Sequence, residues 1–392
     1  MFMAVGDIYK LQLESITSSA DALARIDGKP VFIEGGAPFE TIHCRITEEH
    51  KTWNRAELLE IIEPSPARIE PKCAFYGKCG GCNLQHIDYQ TQLDIKKKIL
   101  KDSFLRIGGF DPPQIEVIPS TPWEYRNRMQ FHCLRQKAKA DEIGFGLKEK
   151  TGVNIITITE CPVAVRGINK FLKGKNITLP PDKDRFTVFS KDDLLMSEGD
   201  IQRAKITLLD KEIIVESGVF FQSNCTMLEK LILELQKITD THNKIDKALP
   251  MADLYCGVGT FAMFLAEKFP YVILAEENKT AVSIAHENLK GIKHEIFALR
   301  DTDWQKNLLN KKEKGSFSFA VLDPPRSGLN FKLALSLAQN DIPVLAYVSC
   351  DPISLARDSK VLINGGYNLE KLTLFDFYPQ TTHIESLAVF KR

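Results

Sequence analysis

The second half of the chain alternates short apolar runs with segments of helical periodicity, and this pattern constrains the fold more than any other feature. The apolar runs are Met251–Tyr255, Tyr271–Ala275, Phe319–Leu322 and Val344–Val348. The helix-like segments that follow them are Thr260–Lys268, Thr280–Lys290, Phe331–Ala338 and Ser354–Val361. Alternation of this kind predicts a doubly wound α/β domain, in which helices cover both faces of a parallel sheet.

The first half has a different texture. Up to about Pro66, short strand-like segments follow one another with glycine and proline turns between them, which is typical of a small OB-like β-barrel. Such a barrel either binds oligonucleotides or has a purely structural role, in which it supports the neighbouring domains. The next stretch, to about Ser217, has an α+β pattern. We therefore expect three domains, at residues 1–66, 67–217 and 218–392, with a helix near residues 90–107 that packs on the last of them.

Composition excludes several classes of protein. The 392 residues carry 51 Lys and Arg against 51 Asp and Glu, and 44% are hydrophobic, which is an ordinary globular mixture. No run approaches the roughly 20 apolar residues that a membrane-spanning helix needs. The first residues also lack the pattern of a secretory signal. We expect a cytoplasmic, monomeric protein whose nine cysteines stay reduced.

Charge is distributed unevenly along the chain. Residues 1–70 hold 7 Lys and Arg against 12 Asp and Glu, whereas residues 71–140 hold 12 against 6. The basic stretch includes Lys96–Lys98, and it places Arg126 and Arg128 beside Trp123, Tyr125 and Phe131. Basic side chains mixed with aromatic ones favour binding to RNA, although a solvated charged face gives the same pattern.

Polar or reactive residues follow the apolar runs where a parallel sheet would bring them to one edge. Asp253 starts a glycine-containing loop, Glu276 ends the second run, and Asp323 and Cys350 end the later two. Ligands bind at this edge of doubly wound sheets. Gly257 and Gly259, with an acidic residue about 20 positions on, fit the nucleoside part of either a dinucleotide or S-adenosylmethionine.

Cys350 stands at the end of a strand and before a proline turn, where its sulfur would face the crevice. A thiolate there is a candidate nucleophile, and a buried packing cysteine is the alternative. Glu385 precedes the last strand-like segment and is a candidate general base. We interpret Cys44, Cys133, Cys225 and Cys256 as packing residues.

Three other cysteines lie close together in the sequence. Cys73, Cys79 and Cys82 fall on a short glycine-containing segment, and Cys161 could supply a fourth thiolate from a distance. Thiolates with this spacing suit either tetrahedral zinc or an iron–sulfur cluster. The spacing alone does not distinguish the two.

Ordered motifs along almost the whole chain resemble the RNA uracil-C5 methyltransferases, which make 5-methyluridine. GDIYKLQLESI resembles the start of a TRAM domain, the OB-like module of the rRNA-directed branch, and PKCAFYGKCGGCNLQH resembles the family's iron–sulfur loop. YRNRMQFH, FFQSN, DLYCGVGTF, DPPRSGL, YVSCDP and FYPQTTHIES resemble its later motifs in order. The resemblance implies a Rossmann-like methyltransferase domain behind a TRAM barrel and an α+β central domain.

The resemblance also implies roles for individual residues. It places the nucleophile at Cys350 and the proton acceptor at Glu385. It implies a [4Fe–4S] cluster on Cys73, Cys79, Cys82 and Cys161. It implies S-adenosylmethionine contacts from Gln222, Tyr255, Thr260, Glu276, Asp301 and Asp323. Asp351 stands where the family usually has Asn, and a charge there would raise the pKa of the neighbouring thiol. Thr260 stands where many members have Asn.

The expected reaction is methylation of uracil C5 in RNA. The TRAM-like start favours 23S rRNA as the substrate, with tRNA as the alternative. Two further hypotheses remain at this point, an N-methyltransferase that makes no use of Cys350 and a non-catalytic RNA-binding factor that retains the fold.

Overall fold

The computed structural model describes residues 4–134, 144–152, 154–174, 183–198, 202–304 and 317–392. They divide into two compact units. The first unit comprises Met1–Ile99, Lys148–Ile156 and Tyr378–His383, and the second comprises Leu100–Leu147, Thr157–Phe377 and Ile384–Arg392. The predicted division into three domains remains a prediction. Within the described residues, no helix combines the length and the apolar character that crossing a bilayer requires.

The first unit is built on a six-stranded sheet with the order β1-β5-β6-β4-β3-β2. Its strands are β1 (Ile8–Gln12), β2 (Ser15–Ile16), β3 (Asp21–Ile26), β4 (Lys29–Glu34), β5 (Thr41–Glu49) and β6 (Asn54–Glu63). Alternate residues of β4 and β5 are buried, as the period of a strand with one covered face requires. Helix α1 (Tyr89–Ser103) starts in this unit and continues as one π-helical segment, Phe104–Gly108.

The second unit contains a smaller antiparallel sheet, in which the order within the unit is β9-β8-β11-β12. The strands of this part of the chain are β7 (Ile115–Ile118), β8 (Arg128–Leu134), β9 (Gly144–Lys148), β10 (Ile155–Ile156), β11 (Arg185–Lys191), β12 (Leu194–Ser197), β13 (Arg203–Leu208) and β14 (Lys211–Glu216). Of these, β10 belongs to the first unit, and β13 and β14 form a separate hairpin. Helix α2 (Arg166–Gly174) covers the sheet. Phe131, Phe145, Phe171 and Phe186 pack against one another with ring centroids 5.0 to 6.5 Å apart.

An eight-stranded sheet forms the rest of the second unit, with the order β17-β16-β15-β18-β19-β21-β20-β7. Its remaining strands are β15 (Met251–Leu254), β16 (Val272–Glu276), β17 (His294–Ala298), β18 (Phe319–Leu322), β19 (Val344–Ser349), β20 (Asn368–Phe375) and β21 (Glu385–Lys391). Its helices are α3 (Cys225–Thr241), α4 (Thr260–Leu265), α5 (Lys279–Asn288), α6 (Asp301–Trp304), α7 (Phe331–Gln339) and α8 (Pro352–Asn364). A single 3-10 turn, Ala266–Lys268, extends α4.

The predicted alternation of strands and helices is confirmed, with β15, β16, β18 and β19 parallel to one another. The sheet also holds one strand of opposite direction. β21 is antiparallel to both of its neighbours, β19 and β20, and lies between them. The sequence pattern did not reveal this insertion, because strand direction depends on pairing between distant segments.

Candidate functional site

The two candidate catalytic residues lie at the same edge of the eight-stranded sheet. Parallel strands bring their carboxyl ends to that edge, and antiparallel β21 brings its first residue there. Ser349 of β19 pairs with Ser386 of β21, so that Cys350 and Glu385 each adjoin the last pair of this ladder. The thiol therefore lies just beyond the end of β19, and the carboxyl group lies at the start of the neighbouring strand β21.

The loop after β15 makes a tight turn into α4. Tyr255, Gly257 and Gly259 have positive φ angles of 63°, 54° and 81°. A Cβ atom at Gly259 would lie 3.3 Å from the Cβ of Ala285, so α4 and α5 approach closely there. A Cβ at Gly257 would meet open space. The backbone at Gly257 is thus accessible to a ligand, while Gly259 is needed for packing.

Two acidic residues hold this loop by hydrogen bonds. The Glu276 carboxylate accepts from the backbone N–H of Gly257 at 3.1 Å and from that of Asn278 at 2.8 Å. Buried Asp253 accepts from the N–H of Ala262 at 2.9 Å. Burial raises the pKa of Asp253 to about 7. Glu276 stays partly exposed at the open side of the loop, where it can accept hydrogen bonds from ribose hydroxyls.

Tyr255 and Asp301 meet on the other side of the loop. The Tyr255 hydroxyl donates to Asp301 Oδ2 at 3.2 Å, and its ring packs edge-on against Trp304 with centroids 4.4 Å apart. Asp301 is the first residue of α6. Thr260, the first residue of α4, is partly exposed beside Gly259. Both residues thus flank the loop to which the sequence assigned them.

Buried polar atoms without a protein partner also point to a ligand. Gln222 donates a side-chain hydrogen bond to Asp323, but its Oε1 atom has no partner among the described residues. Within the same described part of the chain, Asp253 Oδ1 and Glu385 Oε1 are also buried without one. Buried polar atoms are normally hydrogen-bonded. Three such atoms belong to residues of one site, and this indicates that the site binds a polar molecule.

The surroundings of Cys350 and Glu385 disfavour the charged form of both side chains. Burial, followed by the carboxyl groups of Glu385 and Asp323, raises the pKa of the Cys350 thiol to about 12. Burial and Asp323 raise the pKa of Glu385 well above its ordinary value. The Arg326 guanidinium opposes both shifts. Sequence reasoning missed Arg326 as a site residue, although its charge beside Asp323 was a signal.

Asp351 has a different role from the one expected. Its side chain caps α8 by accepting from the N–H of Ser354 at 2.7 Å. The carboxyl groups that raise the pKa of Cys350 belong to Glu385 and Asp323. Asp at this position stabilises the helix that follows Cys350.

A buried network fixes the loop that carries Arg326. Asp358 of α8 accepts from the Tyr347 hydroxyl and from the N–H of Leu329, both at 2.8 Å. Arg357 donates to Asp358 at 2.8 Å and to the carbonyl oxygen of Ser327 at 2.9 Å. These partners are distant in sequence from the loop, so no local motif reveals the network.

A second network holds the segment that carries Gln222. Buried Asn127 donates to the carbonyl oxygen of Ser190 at 2.7 Å and accepts from the N–H of Cys225 at 3.0 Å. Asn224 caps α3 and donates to the carbonyl oxygen of Phe377 at 3.1 Å. The central signature thus contributes a structural asparagine, which sequence reasoning did not single out.

The candidate metal ligands are divided between the units. Cys73, Cys79 and Cys82 lie in the first unit and Cys161 lies in the second, and all four side chains are partly exposed. Throughout the described part of the chain, no three His, Cys, Asp or Glu side chains are arranged as a metal site. A Cβ at Gly81 would lie 3.5 Å from Cys79 Sγ, so this segment leaves space beside a sulfur. Its soft donors fit a thiolate-bound group, and the four-cysteine site remains a prediction.

The remaining cysteines are packing residues as expected, since Cys44, Cys133, Cys225 and Cys256 are buried.

The basic stretch is less available to RNA than its composition indicated. Lys96 is completely buried, and Tyr125 and Phe131 belong to the core. None of these three can contact a nucleic acid. Arg128 instead lies over the ring of Phe220, with 5.8 Å to the centroid, and Phe220 is 63% exposed.

Comparison with known proteins identifies the activity that the sequence motifs predict, methylation of uracil C5 in RNA. Residues 185–392, more than half of the chain, match the family model described as tRNA (Uracil-5-)-methyltransferase. A Treponema denticola protein described as an uncharacterized RNA methyltransferase is 32% identical over 93% of this chain and 94% of its own length. A 23S rRNA (uracil(1939)-C(5))-methyltransferase RlmD from Shewanella piezotolerans is 29% identical over 94% of this chain and 92% of its own.

A solved structure shares the fold. The tRNA (uracil-54, C5)-methyltransferase of Pyrococcus abyssi, in complex with S-adenosyl-L-homocysteine, superposes with a TM-score of 0.72. The superposition covers 97% of this chain and 100% of the Pyrococcus abyssi chain, and the two sequences are 24% identical. The chain therefore belongs to the tRNA (uracil-5-)-methyltransferase family and is an RNA (uracil-5-)-methyltransferase that depends on S-adenosylmethionine.

Proposed function

We propose that the enzyme methylates C5 of a uridine in 23S rRNA by covalent catalysis from Cys350. The observation that carries the mechanism is the placement of Cys350 and Glu385 at adjoining ends of two neighbouring strands, β19 and β21, at the edge that also holds the glycine loop. The relatives named as 23S rRNA methyltransferases, which align over most of their own length, support the substrate.

The chemistry requires a nucleophile because uracil C5 does not attack a methyl group unaided. The Cys350 thiol gives its proton to solvent, the resulting thiolate adds to C6, and the electron pair of the C5–C6 double bond becomes available at C5. S-adenosylmethionine supplies the methyl group that C5 takes up. Glu385 then accepts the proton of C5, the double bond reforms, and the C6–S bond breaks with its electron pair returning to sulfur.

The ligand-binding roles follow from the site. Glu276 accepts hydrogen bonds from the ribose of the methyl donor, Tyr255 and Asp301 border its base, and Asp323 and Gln222 face the reacting groups. Thr260 completes the glycine turn. The target base leaves its stack to reach this buried edge, because no base within a helix can expose C5 and C6 to two side chains.

We propose that residues 1–66 form a TRAM-type OB-like module that contacts the RNA. The six-stranded sheet β1–β6 supports this assignment. Its net charge of −5 over residues 1–70 means that shape and backbone groups, rather than a cationic surface, would make the contact.

The reaction and the substrate can be tested together. The protein is incubated with methyl-labelled S-adenosylmethionine and, separately, with unmodified 23S rRNA or tRNA, and the RNA is digested to nucleosides. We expect labelled 5-methyluridine from 23S rRNA and none from tRNA. Label in tRNA alone would reassign the substrate, and a label on nitrogen would contradict the mechanism.

Variants separate the two catalytic roles. Cys350→Ser should abolish both product and the covalent protein–RNA adduct, whereas Glu385→Gln should accumulate the adduct on a denaturing gel. Glu370→Gln, a change of the same kind in a surface ion pair with Lys391, is the matched control and should accumulate none. Adduct formation by Cys350→Ser would rule out this nucleophile.

We also propose that Cys73, Cys79, Cys82 and Cys161 bind a [4Fe–4S] cluster with a structural role. A donor set of four partly exposed cysteine side chains, three of them within ten residues of one another, supports it. Anaerobically purified protein should contain about four iron and four sulfide per chain, with visible absorbance that is lost in Cys79→Ser. Stoichiometric zinc without sulfide would assign the site to zinc instead.

A further inference from the structure

The segment that leads into the catalytic strand β21 is clamped by residues from much earlier in the chain. Gln380 lies in this segment, Tyr378–His383, and has a φ of 69°, which is unusual for a residue other than glycine. Its carbonyl oxygen accepts from the N–H groups of Asn83 and Leu84, both at 3.0 Å. The backbone of Gln380 is therefore fixed in a conformation that it would rarely adopt alone.

Gln92 of α1 forms the centre of the clamp. Its Oε1 accepts from the N–H of Gln380 at 2.9 Å, and its Nε2 donates to Oε1 of the same residue at 3.0 Å. Nε2 also donates to the carbonyl oxygens of Leu84 and Ile87. Gln92 is 1% exposed, so these bonds form away from water.

Two other side chains secure the ends of the segment. Lys96, completely buried, donates to the carbonyl oxygen of Tyr378 at 2.8 Å. Asn83 donates to the Thr382 hydroxyl at 3.2 Å and accepts from the N–H of Thr382 at 3.0 Å. Burying a lysine is costly. A simple connection between two strands does not need a buried lysine and an enclosed pair of glutamines.

The clamp ends two residues before the proton acceptor. Thr382 and His383 are followed by buried Ile384 and then by Glu385, the first residue of β21. Fixing the chain at Thr382 limits the positions that the Glu385 carboxyl group can take. General-base catalysis is sensitive to such placement, because the acceptor must lie within hydrogen-bond reach of the proton.

We propose that Gln92, Asn83 and Lys96 are positioning residues that set Glu385 for removal of the C5 proton. The inference rests on the proposed function. In the affected step the C5–H bond breaks and the proton moves to the Glu385 carboxylate. The C–H electron pair forms the C5–C6 double bond, and the C6–S pair returns to Cys350. Attack by Cys350 and methyl uptake precede this step and do not depend on the clamp.

The test compares Gln92→Met and Asn83→Ala with Gln90→Met, the same change at an exposed position of the same helix. Single-turnover reactions measure how fast the covalent adduct forms and how fast it decays to 5-methyluridine. We expect decay in both clamp variants to slow by about 10-fold to 100-fold, since small misplacements of a catalytic group cost about this much. Adduct formation should change little, and Gln90→Met should match the unaltered protein.

A substrate without a C5 proton isolates the earlier steps. With RNA that carries 5-fluorouridine at the target, the adduct cannot decay by proton removal, so its rate of formation should be the same in the clamp variants and the unaltered protein. Deuterium at C5 of the normal substrate should slow product formation more in the clamp variants than in the unaltered protein.

The results that would contradict the positioning role differ from the result that would contradict the proposed function. Equal slowing of adduct formation and decay, or decay at the unaltered rate in Asn83→Ala, would contradict positioning. Thermal melting of each variant identifies a general loss of folding, and Asn83, which is only partly buried, is the milder change. If the unaltered protein formed no Cys350-dependent adduct, the proposed function itself would be wrong.

Discussion

Cys350 lies where its own surroundings favour the protonated thiol. Its pKa of about 12 follows from burial and from the two carboxyl groups beside it, while Arg326 acts in the opposite direction. The thiolate is the reactive form of cysteine. Reactivity of Cys350 should therefore respond to each neighbouring charge with a predictable sign.

Changing these charges gives a test at the scale of single residues. Arg326→Gln should raise the pKa of Cys350 and slow its alkylation by iodoacetamide several-fold at pH 9, and Glu385→Gln should accelerate it. Mass spectrometry of the peptide that contains Cys350 separates it from the other thiols. Lys332→Gln, an exposed change on α7, serves as the control. Slowing by both site variants would show that shape rather than charge controls the thiol.

Sequence reasoning identified the candidate catalytic residues but not the residues that hold them in place. Cys350 and Asp323 stand at the ends of apolar runs, which is a local and readable pattern. Asp358, Asn127 and Gln92 act through partners about 29, 98 and 288 positions away, respectively. Such pairings arise only when the chain has folded, so no spacing in the sequence indicates them.

Among the structural elements, the loop between β18 and α7 depends on a glycine at one position, Gly328. Gly328 has a φ of 73°, and a Cβ there would lie 2.5 Å from Asp358 Oδ2 and 2.7 Å from a terminal nitrogen of Arg357. Both atoms belong to the network that holds the loop. A side chain at Gly328 would therefore disturb the element that carries Arg326.

Gly328→Ala should lower the free energy of unfolding by more than the roughly 1–3 kcal/mol of local backbone strain, and it should also reduce methylation. Gly366→Ala is the matched control, because its φ is 99° but a Cβ there would meet open space. Gly366→Ala should lower the free energy of unfolding by the backbone strain alone and should leave methylation unchanged. Urea denaturation and the methylation assay give both quantities. Equal effects of the two changes would contradict the predicted clash.

Elements were predicted best where their period is regular. Phe319–Leu322 was predicted residue for residue, and the other three apolar runs agree with β15, β16 and β19 to within one residue at each end. β17 was missed, because its partly exposed residues do not form an apolar run. Strands β7 and β20 were missed as well, since they join the sheet only through distant partners.

At the scale of the whole molecule, the acidic side chains of the site lower the stability of the folded protein as the pH rises. Asp253 has a pKa of about 7 in the folded protein against an ordinary 3.8. Between these values the folded state keeps a proton that the unfolded chain has lost, so stability falls as the pH rises through this window. Buried Glu385 and Asp323, whose pKa values are also raised, act with the same sign.

Asp253→Asn removes one of these contributions and keeps an oxygen for the N–H of Ala262. The variant should equal the unaltered protein near pH 4 and be more stable at pH 8, by on the order of 4 kcal/mol at most. Urea denaturation at the two values measures the difference. Asp184→Asn, at an exposed position, is the control. A gain that is equal at both pH values would assign the effect to packing instead.

The position of β21 has a consequence for how the protein comes apart. Strands β20 and β7 join the rest of the eight-stranded sheet through β21, in the order β19-β21-β20-β7. If β21 detaches, three strands leave together and Glu385 goes with them. Partial unfolding that begins there should therefore abolish turnover while the glycine loop and β15 are still intact, so that an enzyme warmed gradually would lose activity before it loses its affinity for the methyl donor.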